Sequence, residues 1–279
     1  VSARVLSGKE VAAGLVERLR KTTESLPYRL SLVFIRAGDD PASASYVRSK
    51  ARLASKAGID SRTIVLQPGV TQQELLDLIG QLNADEQVDG ILLQLPLYGH
   101  LDSRPLLEAI SPAKDVDGLH PVNVGRLWSG EDGLFPATPV GLIEILDHFD
   151  IPISGKRVVI VGRSNLVGKP AAGLFLRRDA TVTVAHSRTV GLADVTREAD
   201  ILVAAVGRAG FIEPHMVKPG ATVLDVGQSS SGEGGLRGDV SPEVAAVAGA
   251  VTPTPGGTGP MTVASVIANT VKAGVARRG

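Results

Sequence analysis

The stretch Val158-Val159-Ile160-Val161-Gly162-Arg163-Ser164-Asn165-Leu166-Val167-Gly168-Lys169-Pro170 decides the fold. Four β-branched residues read as a buried strand, Gly162 permits a tight turn, and the residues after it open a helix. A helix that starts just beyond a parallel strand aims free N–H groups and a positive dipole end at one point, which suits a pyrophosphate. The usual G-x-G-x-x-G is altered, because Ser164 stands in place of the second glycine and Gly168 closes the pattern. A lone glycine after a strand is most often only a turn. With strand and helix on the expected sides, this one reads as a nucleotide loop. The next strand, 180–185, runs into His186-Ser187-Arg188-Thr189 instead of ending in an acid that would hold ribose hydroxyls. A hydroxyl and a guanidinium there suit a 2′-phosphate, and Arg163 offers a second cation, so NADP is expected over NAD.

On either side, short β-branched runs alternate with amphipathic stretches, the pattern of βα units around a parallel sheet. Strands are expected at 30–36, 61–66 and 90–95, with helices from Pro41 to a stop at Gly58 and from the cap Thr71 to about Leu82. Residues 111–138, rich in Asp, Gly, Pro and Asn, read as a structured connection. A helix is expected from Pro139 to Phe149, then strands at 157–161, 180–185, 200–205 and 221–226, and a last helix over 262–276. The fold class is therefore α/β with two domains, an N-terminal parallel α/β domain and a C-terminal NADP-binding Rossmann domain. The boundary falls at 138/139, with 139–261 for the nucleotide and the segment 262–279 packing back on 1–138. Residues 229–235 read as a flexible surface loop.

Composition narrows the function classes. The chain has 279 residues, of which 43% are hydrophobic, enough for a sizeable core. Lys plus Arg and Asp plus Glu both number 29, so no net field draws the chain to nucleic acid or an anionic membrane. There is no cysteine, which excludes disulfides, thiolate nucleophiles and Cys-ligated metals, and no metal site is expected. No apolar run spans a bilayer and the first residues lack a secretory signal, so a cytoplasmic location is expected.

In the N-terminal half, Tyr46 and Lys50 lie four apart on the expected helix and share one face. By themselves they read as a core edge and a solvated charge. Gln94, however, sits at the carboxyl end of a buried strand, where ligand-binding groups of parallel sheets gather, and Asp117 sits in the polar connection. A phenol, an amine, an amide and a carboxylate are then expected to converge on an interdomain cleft.

These residues stand in a set of motifs that resembles bifunctional methylenetetrahydrofolate dehydrogenase/cyclohydrolases, the FolD type, nearly end to end. The set comprises Asp40-Pro41-Ala42-Ser43 with Tyr46 and Lys50, Gln94-Leu95-Pro96-Leu97, and Lys114-Asp115-Val116-Asp117-Gly118 with His120, Pro121 and Asn123. It continues with Gly162-Arg163-Ser164, Val167, Gly168 and Pro170, and ends with Pro255-Gly256-Gly257-Thr258-Gly259-Pro260-Met261-Thr262. The resemblance implies that Lys50, Gln94, Tyr46 and Asp117 form the catalytic site, with Leu93, Leu95, Gly257, Gly259 and Pro260 also on the folate. It implies that Gly162, Arg163, Ser164, Val167, Gly168, Ser187, Arg188, Gln228 and Thr262 line the NADP site. A homodimer and a place in tetrahydrofolate interconversion and purine biosynthesis come with it. Departures from the common pattern are Ala137 for Cys, Thr258 for Val, Gln228 for Ile and Arg52 for Lys.

Such a site would carry two reactions. Hydride leaves the one-carbon bridge of methylenetetrahydrofolate without a strong base, because two flanking nitrogens stabilise the cation. Hydrolysis of the methenyl product needs proton transfer, for which Lys50 is the candidate, held by Gln94 and with its amine depressed. Rival readings are a dehydrogenase of another small acid and a non-catalytic NADP-binding sensor.

Overall fold

The structure, a computed structural model, describes residues 2–38, 40–230 and 235–279. Close contacts divide the chain into two units: the segment up to Ala12 with Thr138–Thr262, and Ala13–Ala137 with Val263–Gly279. This division differs from a boundary at 138/139 at the N-terminus. The short strand β1 (Arg4–Val5) pairs with a strand near residue 250, which ties the first residues to the later unit. Helix α1 (Gly8–Ser25) follows, for which the sequence reading assigns no element. Its buried Val11, Ala12, Leu15 and Val16 recur at helical spacing.

The unit built on Ala13–Ala137 holds β2 (Ser31–Arg36), α2 (Pro41–Lys56), β3 (Asp60–Val65), α3 (Gln72–Ala84), β4 (Gly90–Gln94), α4 (Ser103–Ala109) and α5 (Pro121–Ser129). The three strands form a parallel sheet in the order β3-β2-β4. Central β2 buries Leu32, Val33, Phe34 and Ile35 completely, whereas edge strand β3 is mostly exposed and polar. Val33, Ile35, Ile91 and Leu93 meet Leu75, Ile79 and Leu106 of α3 and α4 in one core. Thr71 and Glu74 form a reciprocal capping box at the start of α3.

Within the structured connection expected over 111–138, helix α5 (Pro121–Ser129) is an element that the sequence pattern does not single out. Its signals are local: His120 accepts from the Val122 amide through Nδ1, Pro121 fills the first turn, and Gly130 closes the helix at φ +81°.

The other unit holds α6 (Ala137–His148), β5 (Arg157–Val161), α7 (Gly168–Leu176), β6 (Thr181–Ala185), α8 (Leu192–Arg197), β7 (Ile201–Ala204), β8 (Thr222–Asp225), β9 (Ser229–Ser230), β10 (Leu236–Arg237), β11 (Ala250–Val251) and α9 (Thr258–Arg278). α6 and α9 cross the division between the units, at Ala137 and Val263 respectively. Six strands run parallel in the order β1-β11-β8-β7-β5-β6, a doubly wound arrangement with β5 and β6 side by side. α6 starts two residues before Pro139 and α9 one turn before Thr262. Gly259 and Pro260 are tolerated there because first-turn N–H groups have no intrahelical acceptor. The expected loop at 229–235 is replaced at its ends by an antiparallel pair, Leu236 with Ser230 and Arg237 with Ser229. Residues 231–234 lie outside the described residues.

Within its own unit, the 263–279 part of α9 packs close to the sheet. Thr270 lies beside Gly90, where a Cβ would fall 2.6 Å from Val116 and 3.3 Å from Thr270. Asn269 donates from Nδ2 to the carbonyls of Val116 and Phe135, both at 2.9 Å. Two backbone acceptors flanking the 117–134 stretch are thus satisfied from one side chain.

Candidate active site

α2 places the first functional pair. Asp40 caps the helix by accepting from the Ser43 amide at 2.7 Å, and Pro41 fills its first turn. From there Tyr46 and Lys50 follow at one-turn spacing. Tyr46 is half-buried, and Lys50 is only 5% exposed. The Lys50 amine donates to Gln94 Oε1 at 3.1 Å. Gln94 stands at the end of β4 and donates from Nε2 to the Leu95 carbonyl at 2.7 Å, an oxygen that also accepts from Ser43 Oγ at 3.2 Å. With its NH2 committed to Leu95, the Gln94 amide has its oxygen turned to Lys50. Burial pushes the Lys50 amine below its ordinary range, while the negative charge of Asp117 pulls it partly back. An ammonium with one side-chain acceptor in a dry setting gives up a proton more readily than one in water.

The Lys114–Gly118 motif separates structural groups from an available one. Lys114 donates to the carbonyls of Leu82, Asn83 and Asp85 at 3.0, 2.8 and 2.7 Å, closing the C-terminal end of α3. Asp115 is buried and accepts from the amides of Gly118 and His120 and from Asn123 Nδ2, at 3.1, 2.8 and 3.0 Å. Burial raises its carboxyl above the usual range, against those hydrogen bonds. Asp117, between them, is half-buried and within electrostatic reach of Lys50. Gly118 holds φ +74°, and a Cβ there would fall 2.2 Å from the Phe135 carbonyl carbon. The structure thus joins Lys50, Gln94 and Asp117. The side chain of Leu93 belongs to the core, so it has only main chain to offer a ligand.

In the other unit, the loop after β5 is built for close approach. Gly162 has φ +133°, and a Cβ on it would lie 2.2 Å from the Ala205 carbonyl oxygen. A Cβ on Gly168 would lie 2.2 Å from the Gly162 oxygen. Ser164 Oγ accepts from the amides of Val167 and Gly168 at 3.1 and 3.4 Å, so the serine in the second glycine's place caps the turn before α7. Gly162 donates to the Ala185 carbonyl at 2.8 Å, which brings the loop after β5 beside the loop after β6. There His186 accepts from the Arg188 amide, and Thr189 Oγ1 accepts from the His186 amide, leaving Ser187 and Arg188 exposed. Glycines that hug neighbouring backbone, exposed Arg163 and Arg188, and a helix start fit a dinucleotide phosphate.

The glycine-rich segment is ordered by its neighbours in the same unit. Gly257 has no space for a Cβ, which would meet the Pro253 oxygen at 2.5 Å. Thr262 Oγ1 lies 2.9 Å from Thr138 Oγ1, and Gly259 and Pro260 are half-buried in the first turn of α9. Gln228 is exposed beyond β8. The buried carboxylates Asp225 and Asp239 have as their only local signal a nearby glycine, in Asp225-Val226-Gly227 and Gly238-Asp239, too little to single them out from sequence.

Comparison with known proteins agrees with this architecture. The family model described as tetrahydrofolate dehydrogenase/cyclohydrolase, catalytic domain, matches residues 6–117, and that for the NAD(P)-binding domain matches 136–278. A bifunctional protein FolD of Thermus thermophilus is 54% identical over 278 residues, covering 100% of this chain and 98% of that one. The FolD of Acidiphilium cryptum is 51% identical over 279 residues, with 100% of each chain covered. Among solved structures, the Campylobacter jejuni FolD dehydrogenase/cyclohydrolase superposes with a TM-score of 0.96 at 42% identity, over 99% of this chain and 100% of that one. Trypanosoma brucei FolD, solved with NADP cofactor and inhibitor, gives 0.93 at 36% identity over 100% of both chains. Matched in both halves and along its whole length, the chain belongs to the tetrahydrofolate dehydrogenase/cyclohydrolase family.

Proposed function

We propose that one cluster, Lys50 with Gln94, Tyr46 and Asp117, serves both reactions of an enzyme that oxidises 5,10-methylenetetrahydrofolate with NADP and hydrolyses the methenyl product to 10-formyltetrahydrofolate. The buried Lys50 amine held by Gln94 carries this reading. Tyr46 stacks on the pterin or aminobenzoate rings. Asp117 accepts hydrogen bonds from the pterin amino and ring N–H groups. Leu93 and Leu95 contribute through their surroundings at the end of β4, and Gly257, Gly259 and Pro260 through the glycine-rich segment. Gly162, Arg163, Ser164, Val167, Gly168, Ser187, Arg188, Gln228 and Thr262 hold NADP, with Arg188 on the 2′-phosphate. We assign folate chemistry to 1–138 with 262–279, and the nucleotide to 139–261.

Bound NADP would supply the hydride acceptor for the one-carbon bridge. The protein's own part in that step is to orient the folate, since the flanking nitrogens stabilise the cation. In hydrolysis, water adds to the amidinium carbon as the neutral Lys50 amine takes its proton. The resulting ammonium then protonates the departing ring nitrogen, while the carbinol hydroxyl gives its own proton to solvent and becomes the formyl C=O on the other nitrogen. Gln94 keeps the amine oriented through both transfers. A turnover assay with methylenetetrahydrofolate and NADP, following NADPH and methenyl absorbance together, tests the assignment. Absence of either activity in the folded protein overturns it.

The chain is expected to act as a homodimer in the cytoplasm. Among the described residues no helix is long and apolar enough to cross a membrane, and none form a metal-binding cluster.

A further inference from the structure

Two carboxylates at the carboxyl edge of the six-stranded sheet are buried without a basic side-chain partner among the described residues. Asp225, at the end of β8, is 3% exposed, and Asp239 is fully buried. Asp225 Oδ1 accepts from the amides of Gly227 and Asp239 at 3.1 and 2.9 Å, and Oδ2 from the Val240 amide and the Thr254 hydroxyl at 3.3 and 3.1 Å. Asp239 accepts from the amides of Val206, Gly207 and Arg208 at 2.6, 2.9 and 2.7 Å. Glycines make room for both: a Cβ on Gly238 would lie 1.7 Å from Asp225 Oδ2, and one on Gly227 2.0 Å from Asp239 Oδ1. The Asp225 main chain is held as well, its N–H by Thr252 Oγ1 at 2.7 Å and its carbonyl by Thr258 Oγ1 at 2.9 Å.

A buried carboxylate with four donors and no cation is costly to keep, and its donors come from separate places. They are the loop that leads to Gln228, the 239–240 segment after β10, and Thr254 before the glycine-rich segment. We propose that Asp225 is a positioning residue for hydride transfer, its ionised side chain fixing the Pro255–Thr262 segment to the cofactor loop at Gly227–Gln228. This rests on the assignment of those two segments to folate and NADP. Cyclohydrolysis, centred on Lys50, needs the folate held but not the nicotinamide aligned against it, so it should depend on Asp225 far less.

The charged group facing Asp225 is Asp239. The Arg208 guanidinium stacks on Phe211 and the Lys9 side chain lies beside Gly256, and among the described residues neither side chain pairs with the two carboxylates. Burial, with the Asp239 charge adding to it, pushes the Asp225 carboxyl up to about 6. Hydride transfer should then decline in acid through that range as the acceptor is lost.

The test compares wild type with Asp225→Asn and the milder Thr254→Val and Thr254→Ser, assaying both activities in each preparation. For Asp225→Asn, the expected result is a dehydrogenase kcat about tenfold or more lower. NADP KM should change little, cyclohydrolase activity should stay within about twofold, and the acid limb near pH 6 should vanish. Thr254→Val should show a smaller fall of the same kind, reversed in Thr254→Ser. If both activities fall together with Tm, or if dehydrogenase kcat and its pH profile are unchanged, the proposal is wrong. If Asp225→Asn does not fold, the Thr254 pair decides, and equal kcat in Thr254→Val and wild type overturns it. A wild-type protein lacking both activities would instead sink the underlying functional assignment.

Discussion

Lys50 Nζ and Gln94 Oε1 lie 3.1 Å apart although 44 residues separate them in the chain. The bond joins the third turn of a helix to the end of a strand, and Gln94 is itself oriented by the Leu95 carbonyl. Replacing Lys50 with Met keeps the apolar stem and removes the amine. Cyclohydrolase activity should fall by at least ~100-fold, while oxidation survives better. Methenyltetrahydrofolate should then accumulate during NADPH formation. Hydrolysis at the wild-type rate in a folded variant would remove Lys50 from proton transfer.

Asp117 raises the Lys50 amine against the burial that lowers it. Asp117→Asn should therefore let the Lys50 amine titrate lower still, shifting the corresponding limb of the cyclohydrolase pH profile to lower pH. Folate binding should weaken while NADP affinity holds, as separate calorimetric titrations would show. An unmoved limb with equal loss of both ligands would make Asp117 a brace for the loop.

Arg188 is exposed on the turn after β6, beside the loop that begins at Gly162. Arg188→Asp should weaken NADP roughly ten- to a hundredfold and NAD far less, the usual cost of a lost charge-assisted contact. Competition between the two cofactors measures this. An unchanged preference would place 2′-phosphate recognition on another residue.

Lys114 donates to three carbonyls at the end of α3. Lys114→Met leaves those oxygens without that donor and should cost about 2–4 kcal/mol of folding stability, read as a lower urea midpoint. The kcat of the remaining folded protein should be close to wild type. A catalytic defect at full stability would contradict this structural role.

Asp225 also makes a stability prediction. Its carboxyl rises from the usual 3.8 to about 6, so the native state binds that proton more tightly than the unfolded chain. This contribution is fully present below about pH 4 and is lost as pH climbs through 6. Relative to Asp225→Asn, wild type should therefore lose roughly 1–2 kcal/mol between pH 5 and pH 7.5. Urea midpoints of both proteins at the two pH values would show it. A constant difference would mean that Asp225 is not held neutral in acid.

Much of this protein is legible along the chain because the deciding signals are local. The Val158–Val161 run, Gly162, the Thr71 cap and the one-turn spacing of Tyr46 and Lys50 need only neighbours a few residues away to act. α1 and α5 carry comparable local signals, a buried stripe and a Pro-to-Gly frame, and the sequence reading passes over them. Other features were beyond any local pattern. The pairing of β1 with β11 joins residues near 4 to residues near 250, and only the folded sheet chooses that partner. Asp115 and Asp117 look alike in sequence. The structure makes one a buried acceptor of three hydrogen bonds and sets the other half-buried near Lys50. Asp225 and Asp239 show nothing in sequence of their burial, which arises where backbone amides from several segments converge on them. Burial and hydrogen-bond supply depend on where remote chain segments arrive, and that is fixed by tertiary packing, not by the residues on either side.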